Sequence, residues 1–234
     1  MTPNEQKKPY DDKRVRKALT LALDRWEGSK ALSRIALIKE VAGIQVPGTP
    51  FATPPAELEK LAGYGRDVNA NRAEAKRLLK EAGAENLSFT LLNRAVPQPY
   101  EPFGIWLIDQ WRQIGVTAKH DTRETSAWFQ ALRNGDFEVA VTAPCNSIVE
   151  PDLDIHWFLT TSPVNYGKHK DTVMDDLYCG SRARSTPRSA GGCCGSSRSA
   201  STTRKCTSSW ASSGTASCRT ARRSAAGPSC RATS

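Results

Sequence analysis

The chain has 234 residues, with 33 basic and 24 acidic side chains and a formal net charge of +9. It contains no run of 18 apolar residues, which excludes the usual pattern of a membrane-spanning helix. A basic chain ordinarily favours a nucleic-acid or anionic-membrane partner. However, ten of the basic residues and no acid follow Tyr178, so residues 1–178 carry a net charge of −1.

The predicted elements of residues 1–178 alternate between helices and strands. Apolar residues at spacings of three and four predict helices, and short apolar or aromatic runs predict strands. We expect Asp11 or Asp12 to cap the first helix, and Asn69 or Asn71 to cap the third. In chain order the predictions are helix 14–25, helix 30–40, loop 42–55, helix 71–82, strand 87–92, helix 101–114, strand 116–120, helix 125–132, strand 137–142, helix 152–159 and helix 171–178.

The three strands and the helices between them form consecutive βαβ units. Such units predict an α/β fold with a parallel sheet and helices packed on it. The strand at 137–142 is almost continuously apolar and is therefore expected inside the sheet. Ligands of open α/β sheets bind beyond the carboxyl ends of the strands. The candidate binding segments are therefore 93–100, 121–125 and 143–150.

Residues 179–234 have a different composition. They contain no Leu, Ile, Val, Met, Phe or Tyr, and they hold six of the seven cysteines. A segment without large apolar side chains cannot offset the entropy of folding, so we predict a low-complexity, disordered tail. The tail has no CxxC pair and no His, which disfavours a zinc site, and it offers little structure for a disulfide framework to stabilise.

A shift of reading frame is one explanation for this tail. Read from the third base of each codon, one permitted set of codons for Gly191–Ser199 encodes RLLREFEK, which has the pattern of an amphipathic helix. The alternative is a genuine low-complexity basic tail. We favour the frameshift and expect two parts in the chain, residues 1–178 and residues 179–234.

Several segments of residues 1–178 resemble one protein family. KKPYDDKRVRKALTLALDR at 7–25 resembles a signature of the family 5 extracellular solute-binding proteins, the oligopeptide, dipeptide and nickel receptors of ABC importers. The resemblance continues in order through VNANRAEAKRLLKEAG, IDQWRQIGV, LRNGDFEVAV, EPDLDIHWFLTT and NYGKHKDTVMDDLY. The first segment is fairly specific, and the others support it as an ordered set.

The resemblance implies a partial periplasmic-binding-protein type II fold, in which residues 1–178 form most of the second lobe. The parent protein would capture a small organic solute or a peptide between two lobes and deliver it to a membrane permease. It would be a monomer without cofactor, catalysis or nucleic-acid partner. The parent would be periplasmic, whereas the chain as written shows no signal peptide and would remain cytoplasmic.

The chain departs from the oligopeptide-binding branch at three positions. In that branch an Arg, a Trp and an Asp follow the central strand, and the Asp pairs with the α-amino group of the peptide. Val141, Pro144 and Ser147 occupy these positions here. The charged anchor for an α-amino group is therefore absent, and a peptide held in that way is disfavoured.

Polar and aromatic side chains in or near the binding segments are the candidate ligand-binding residues. Trp128 is the best placed of four tryptophans in the helices, although packing against the sheet is the alternative role for such a ring. The candidate ligand-binding residues are Asn93, Trp128, Asn146, Ser147 and Glu150.

Two rival functions remain at this point. The first is a nucleic-acid-binding protein with an Arg/Ser-rich tail, which the charge of residues 1–178 disfavours. The second is an α/β enzyme that uses Cys145, or the pair Asp152 and Asp154. A nucleophilic Cys145 would need a nearby base, and the sequence shows none. Acidic residues at the start of a helix more often stabilise its first turn.

Overall fold

The computed structural model of the protein describes residues 1–34, 40–143, 148 and 150–185. The candidates Asn146 and Ser147 lie outside the described residues, as do Cys145 and the tail from residue 186 onwards. The strands in the described part are β1 Thr2–Pro3, β2 Ser88–Arg94, β3 Thr117–Arg123 and β4 Val139–Ala140. The helices are α1 Lys13–Leu21, α2 Arg25–Leu32, α3 Pro55–Leu58, α4 Val68–Glu81, α5 Tyr100–Arg112, α6 Thr125–Asn134, α7 Pro151–Ile155, a 3₁₀ turn at His156–Phe158, and α8 Thr172–Ser185.

The strands form one mixed sheet in the order β1-β4-β2-β3. Strand β2 is parallel to both β3 and β4, which confirms the predicted βαβ units. Strand β4 lies between β1 and β2, so its predicted interior position is also confirmed. Strand β1 pairs antiparallel with β4 and was not predicted, because two residues are too few to show a strand pattern.

The sheet separates two hydrophobic clusters. Leu91 packs in the cluster that contains α1, α4 and the α5 residues Leu107 and Trp111. The next residue, Leu92, packs in the cluster that contains Trp128 and Leu132 of α6. Successive strand residues point to opposite faces, so α5 and α6 cover opposite faces of the sheet. The connection through α5 leads from β2 to its neighbour β3, and the connection through α6 leads from β3 back past β2 to β4, so the topological switch point of the sheet lies between β2 and β4.

The helix boundaries differ from the predictions near two Asp residues. Asp12 caps α1 by accepting a hydrogen bond from the backbone of Arg14 at 2.8 Å, as expected. The predicted helix 14–25 is too long, because Asp24 caps a separate helix α2 by accepting from the Glu27 backbone. Asp67, and not Asn69 or Asn71, caps α4 by accepting from the Ala70 backbone at 2.9 Å.

The last described helix passes the composition break at Cys179. Helix α8 begins after Asp171, whose carboxylate accepts a hydrogen bond from the Val173 backbone at 2.9 Å. The helix was predicted over 171–178 and instead continues to Ser185. Within the described part of the chain, no helix combines the length and the apolar character that crossing a bilayer requires.

Candidate functional site

The ends of β2 and β3 bring five side chains together at the carboxyl edge of the sheet. Two of them, Asn93 and Trp128, were predicted from the sequence, and three were not. We call this group the strand-end cluster. Its members are Asn93, Arg94, Tyr100, Thr125 and Trp128.

Asn93 is fully buried and its side-chain amide is engaged within the protein. Its Nδ2 donates to the carbonyl of Tyr100 at 2.7 Å and lies 2.9 Å from Nε2 of His120. Its Oδ1 accepts from the backbone N–H of Arg94 at 2.9 Å. These contacts fix the turn from β2 into α5 and give Asn93 a supporting position. A direct contact between Asn93 and a ligand stays a prediction.

Trp128 lies in the first turns of α6 and is only 4 % exposed. Its ring meets that of Tyr100 edge-to-face, with centroids 6.0 Å apart. Its indole Nε1 is buried and has no hydrogen-bond partner among the described residues. A buried indole N–H usually finds an acceptor. The Trp128 ring therefore has mainly a packing role, and packing does not explain its buried N–H.

Arg94 is one of the three residues of this site that sequence reasoning did not single out. It is the last residue of β2, and its Nε donates to Oγ1 of Thr125 at 2.9 Å. Its Cζ lies 5.4 Å from the ring centroid of Tyr100 and 5.9 Å from that of Trp128. Its place beside Asn93, at the end of an apolar run, was the available signal in the sequence.

Arg123 ends the neighbouring strand in a different environment. It is the partner of Arg94 in the parallel register of β2 and β3. Its guanidinium forms a salt bridge with Asp121 at 2.8 Å. The edge therefore carries two neighbouring cations, of which Arg123 is neutralised by a carboxylate from its own strand.

The other predicted residues lie on the segment that follows β4. Glu150 is exposed and precedes α7, and its side chain makes no capping hydrogen bond. Asp152 and Asp154 lie in the first turn of α7, in agreement with the expected helix-stabilising position. None of the contacts described above joins Glu150 to the strand-end cluster, so its ligand-binding role stays a prediction.

A cavity of about 510 Å³ lies beside the first turns of α5. Arg25, Tyr64, Trp106 and Phe158 are among the residues that line it. The guanidinium of Arg25 stacks over the ring of Tyr64 at 4.5 Å, and burial lowers the pKa of Arg25. The volume lies within the range of small-molecule sites, so this cavity is a second candidate surface, separate from the strand-end cluster.

Comparison with known proteins identifies a family for most of the chain. Residues 1–166 match the family described as "Bacterial extracellular solute-binding proteins, family 5 Middle". Among curated relatives, the periplasmic oligopeptide-binding protein OppA of Escherichia coli is 29% identical over 181 residues. That match covers 74% of this chain and 32% of the relative. The dipeptide-binding protein of E. coli is 31% identical over 160 residues. That match covers 64% of this chain and 27% of the relative.

Solved structures show the same fold. Haemophilus influenzae OppA in complex with RPPGFSPFR superposes with a TM-score of 0.64 at 23% identity, covering 78% of this chain and 36% of that protein. The E. coli murein tripeptide binding protein MppA gives a TM-score of 0.63 at 22% identity, covering 79% and 36%. The expected type II periplasmic-binding-protein fold is thus confirmed. The chain spans about a third of the length of the relatives that it matches.

Proposed function

Because the chain belongs to the family 5 bacterial extracellular solute-binding proteins, we propose that it forms part of a receptor that captures a small organic solute or a peptide. In this proposal the receptor delivers the solute to the permease of an ABC importer and performs no covalent chemistry. The chain provides one wall of the binding cleft, since it spans about a third of its relatives.

The observation that carries this proposal is the strand-end cluster at the carboxyl ends of β2 and β3, next to the switch point between β2 and β4. Arg94, Tyr100 and Trp128 place a cation and two aromatic rings at the carboxyl edge of the sheet. This edge is where open α/β sheets bind ligands, and small-molecule sites combine aromatic walls with a few placed polar groups. The cluster has the chemistry of a binding surface, which supports capture without catalysis.

The nature of the solute is not limited to peptides in this proposal. The oligopeptide and dipeptide relatives are named for peptides, whereas another E. coli relative, 28% identical, is named as a probable deoxycholate-binding periplasmic protein. Val141 and Ser147 replace the Arg and Asp expected of the oligopeptide-binding branch. We therefore propose a solute that is not anchored through an α-amino group.

An NMR titration of the 234-residue chain tests the proposed function. The ¹⁵N-labelled protein would be titrated with separate pools of short peptides, organic acids and sugars. We expect saturable shifts at the amides of Leu92–Ala95 and Arg123–Ser126, at the ends of β2 and β3. As a control, amides in the middle of α4, at residues 72–78, should not move. Absence of a saturable response to every pool would contradict the proposed function.

A further inference from the structure

We propose that Arg94 is the anchor of the solute and that it binds a carboxylate, so that the preferred solute is an organic anion. This inference rests on the proposed function and specifies the chemical class of solute for the same edge. An α-amino group on the solute is not required. A peptide would qualify through its C-terminal carboxylate, and an organic acid without peptide bonds would qualify equally.

The first observation is that Arg94 has no carboxylate partner among the described residues. Its side-chain hydrogen bond goes from Nε to the neutral hydroxyl of Thr125. The residue is partly buried, and burying a charge is costly unless the charge is paired. A guanidinium presents its N–H groups in a planar fork that matches a carboxylate. With Nε fixed on Thr125, the Nη groups remain as donors for an external anion.

The second observation is the contrast between Arg94 and its neighbour Arg123. The two residues are adjacent in the register of parallel strands and would repel each other if both charges were uncompensated. Arg123 is compensated by Asp121. Of these two arginines, Arg94 is therefore the one without a carboxylate partner among the described residues, and an anion bound there would offset its charge.

The third observation is the buried N–H of Trp128. The ring of Trp128 is 5.9 Å from Cζ of Arg94, and its Nε1 lacks an acceptor within the described part of the chain. An unmet buried donor costs about 1–3 kcal/mol. A carboxylate oxygen that reached this N–H would supply the acceptor that it lacks. Tyr100, edge-to-face with Trp128, would contact the apolar part of the solute.

The test compares solutes that differ only in their charged end. The 234-residue chain would be titrated by NMR with N-acetyl-trialanine and its C-terminal amide, and separately with benzoate and benzamide. We expect the carboxylate of at least one pair to bind roughly 10- to 100-fold more tightly than its neutral amide, as a charge-assisted hydrogen-bonded pair provides. Trialanine and N-acetyl-trialanine should bind alike, because the amino group makes no contribution.

Two variants assign the effect to one residue. Arg94→Gln should lose the preference for the carboxylate, whereas Arg94→Lys should keep part of it. Arg112→Gln is the control, because Arg112 lies at the opposite end of α5 from the strand-end cluster, and this variant should keep the full preference. Circular dichroism and the thermal midpoint would show that each variant remains folded.

The outcomes separate this inference from the proposed function. Solute binding without any preference for the carboxylate, or a preference that survives in Arg94→Gln, would overturn the role of Arg94 and leave solute capture intact. If neither carboxylate probe binds while neutral solutes such as sugars do bind, the proposal that the solute is an organic anion is wrong. Failure of every solute pool would contradict both.

Discussion

Gly104 in α5 approaches Asn93 at the end of β2 so closely that a Cβ at Gly104 would lie 2.4 Å from Nδ2 of Asn93. The same Cβ would lie 2.6 Å from Nε2 of His120. The absence of a side chain at position 104 thus permits the buried hydrogen bonds of Asn93. Helix α5 packs closely on the sheet at Gly104, and Asn93 also donates a hydrogen bond to the carbonyl of Tyr100 at the start of this helix.

We expect Gly104→Ala to destabilise the protein. Overpacking costs about 1–3 kcal/mol, which exceeds the gain of about 1 kcal/mol from the better helix propensity of Ala. Urea unfolding followed by circular dichroism would measure the change. Gly180→Ala in α8 is the control, because a Cβ there meets nothing within 4 Å. Equal stability of the Gly104→Ala variant and the parent chain would contradict the close approach.

Much of the fold follows from the sequence, because helix and strand patterns depend on local spacing. Leu87 and Leu92 lie in an apolar run that predicts β2, and Gly135, with φ of 77°, ends α6 as an Asn-Gly pair predicts. The predicted end of the first helix was wrong. The apolar pattern continues beyond Leu21, but Asp24 caps a new helix there. Propensity alone does not decide between a continued helix and a new cap.

The candidate site was less predictable. Asn93 and Trp128 were identified because polar or aromatic residues near strand ends are typical of binding edges. Arg94 was not, because its significance depends on which carboxylates lie beside it in space. The predicted strands stop at residues 92 and 120, whereas Arg94 and Arg123 end the strands of the structure, and the salt bridge of Arg123 with Asp121 is what distinguishes the two arginines. Pairing of this kind is a property of the tertiary structure.

Two buried tryptophans offer a matched test of hydrogen bonding. Trp111 donates from Nε1 to the carbonyl of Leu19 at 3.0 Å, whereas Nε1 of Trp128 has no partner among the described residues. We expect Trp111→Phe to cost about 1–2 kcal/mol more than Trp128→Phe, because only Trp111 loses a buried hydrogen bond. Urea midpoints would give both values. A larger loss for Trp128→Phe in solute-free buffer would contradict this assignment.

Tyr10 carries a buried hydroxyl without a partner in the described structure. Burial, and then the charge of Glu138, raise the pKa of Tyr10 above its ordinary value of 10.0. The neutral phenol is thus favoured in the folded state, and its contribution is lost as the pH rises above 10 towards the raised pKa. We expect Tyr10→Phe to change stability by less than about 1 kcal/mol near pH 8 and to lose less stability than the parent chain near pH 11. Urea midpoints at the two pH values would measure this, and a parallel loss in both proteins would contradict it.

Glu124 precedes α6, and its carboxylate accepts hydrogen bonds from the hydroxyl and the backbone N–H of Ser126. These bonds lower the pKa of Glu124 below its ordinary value of 4.5. A lowered pKa stabilises the folded state above pH 4.5, and the contribution disappears as the pH falls through the lowered pKa. We expect Glu124→Gln to reduce the thermal midpoint at neutral pH and to match the parent chain in acid.

Another exposed glutamate serves as the control for Glu124. Glu85 is exposed in the loop before β2, and Glu85→Gln should leave the thermal midpoint unchanged at both pH values. A pH-independent deficit in Glu124→Gln would show that the loss comes from packing and not from the carboxylate charge.

Leu91 and Leu92 of β2 pack in different hydrophobic clusters, so a molecule bound at the carboxyl end of β2 should affect both sides of the sheet. A molecule that immobilises the end of β2 restrains a strand that packs against both layers of helices. Amide hydrogen exchange should therefore slow in α5 and in α6 together when the edge is occupied, although these helices lie on opposite sides of the sheet. Protection confined to one side would mean that the occupant touches a helix and leaves the strand untouched.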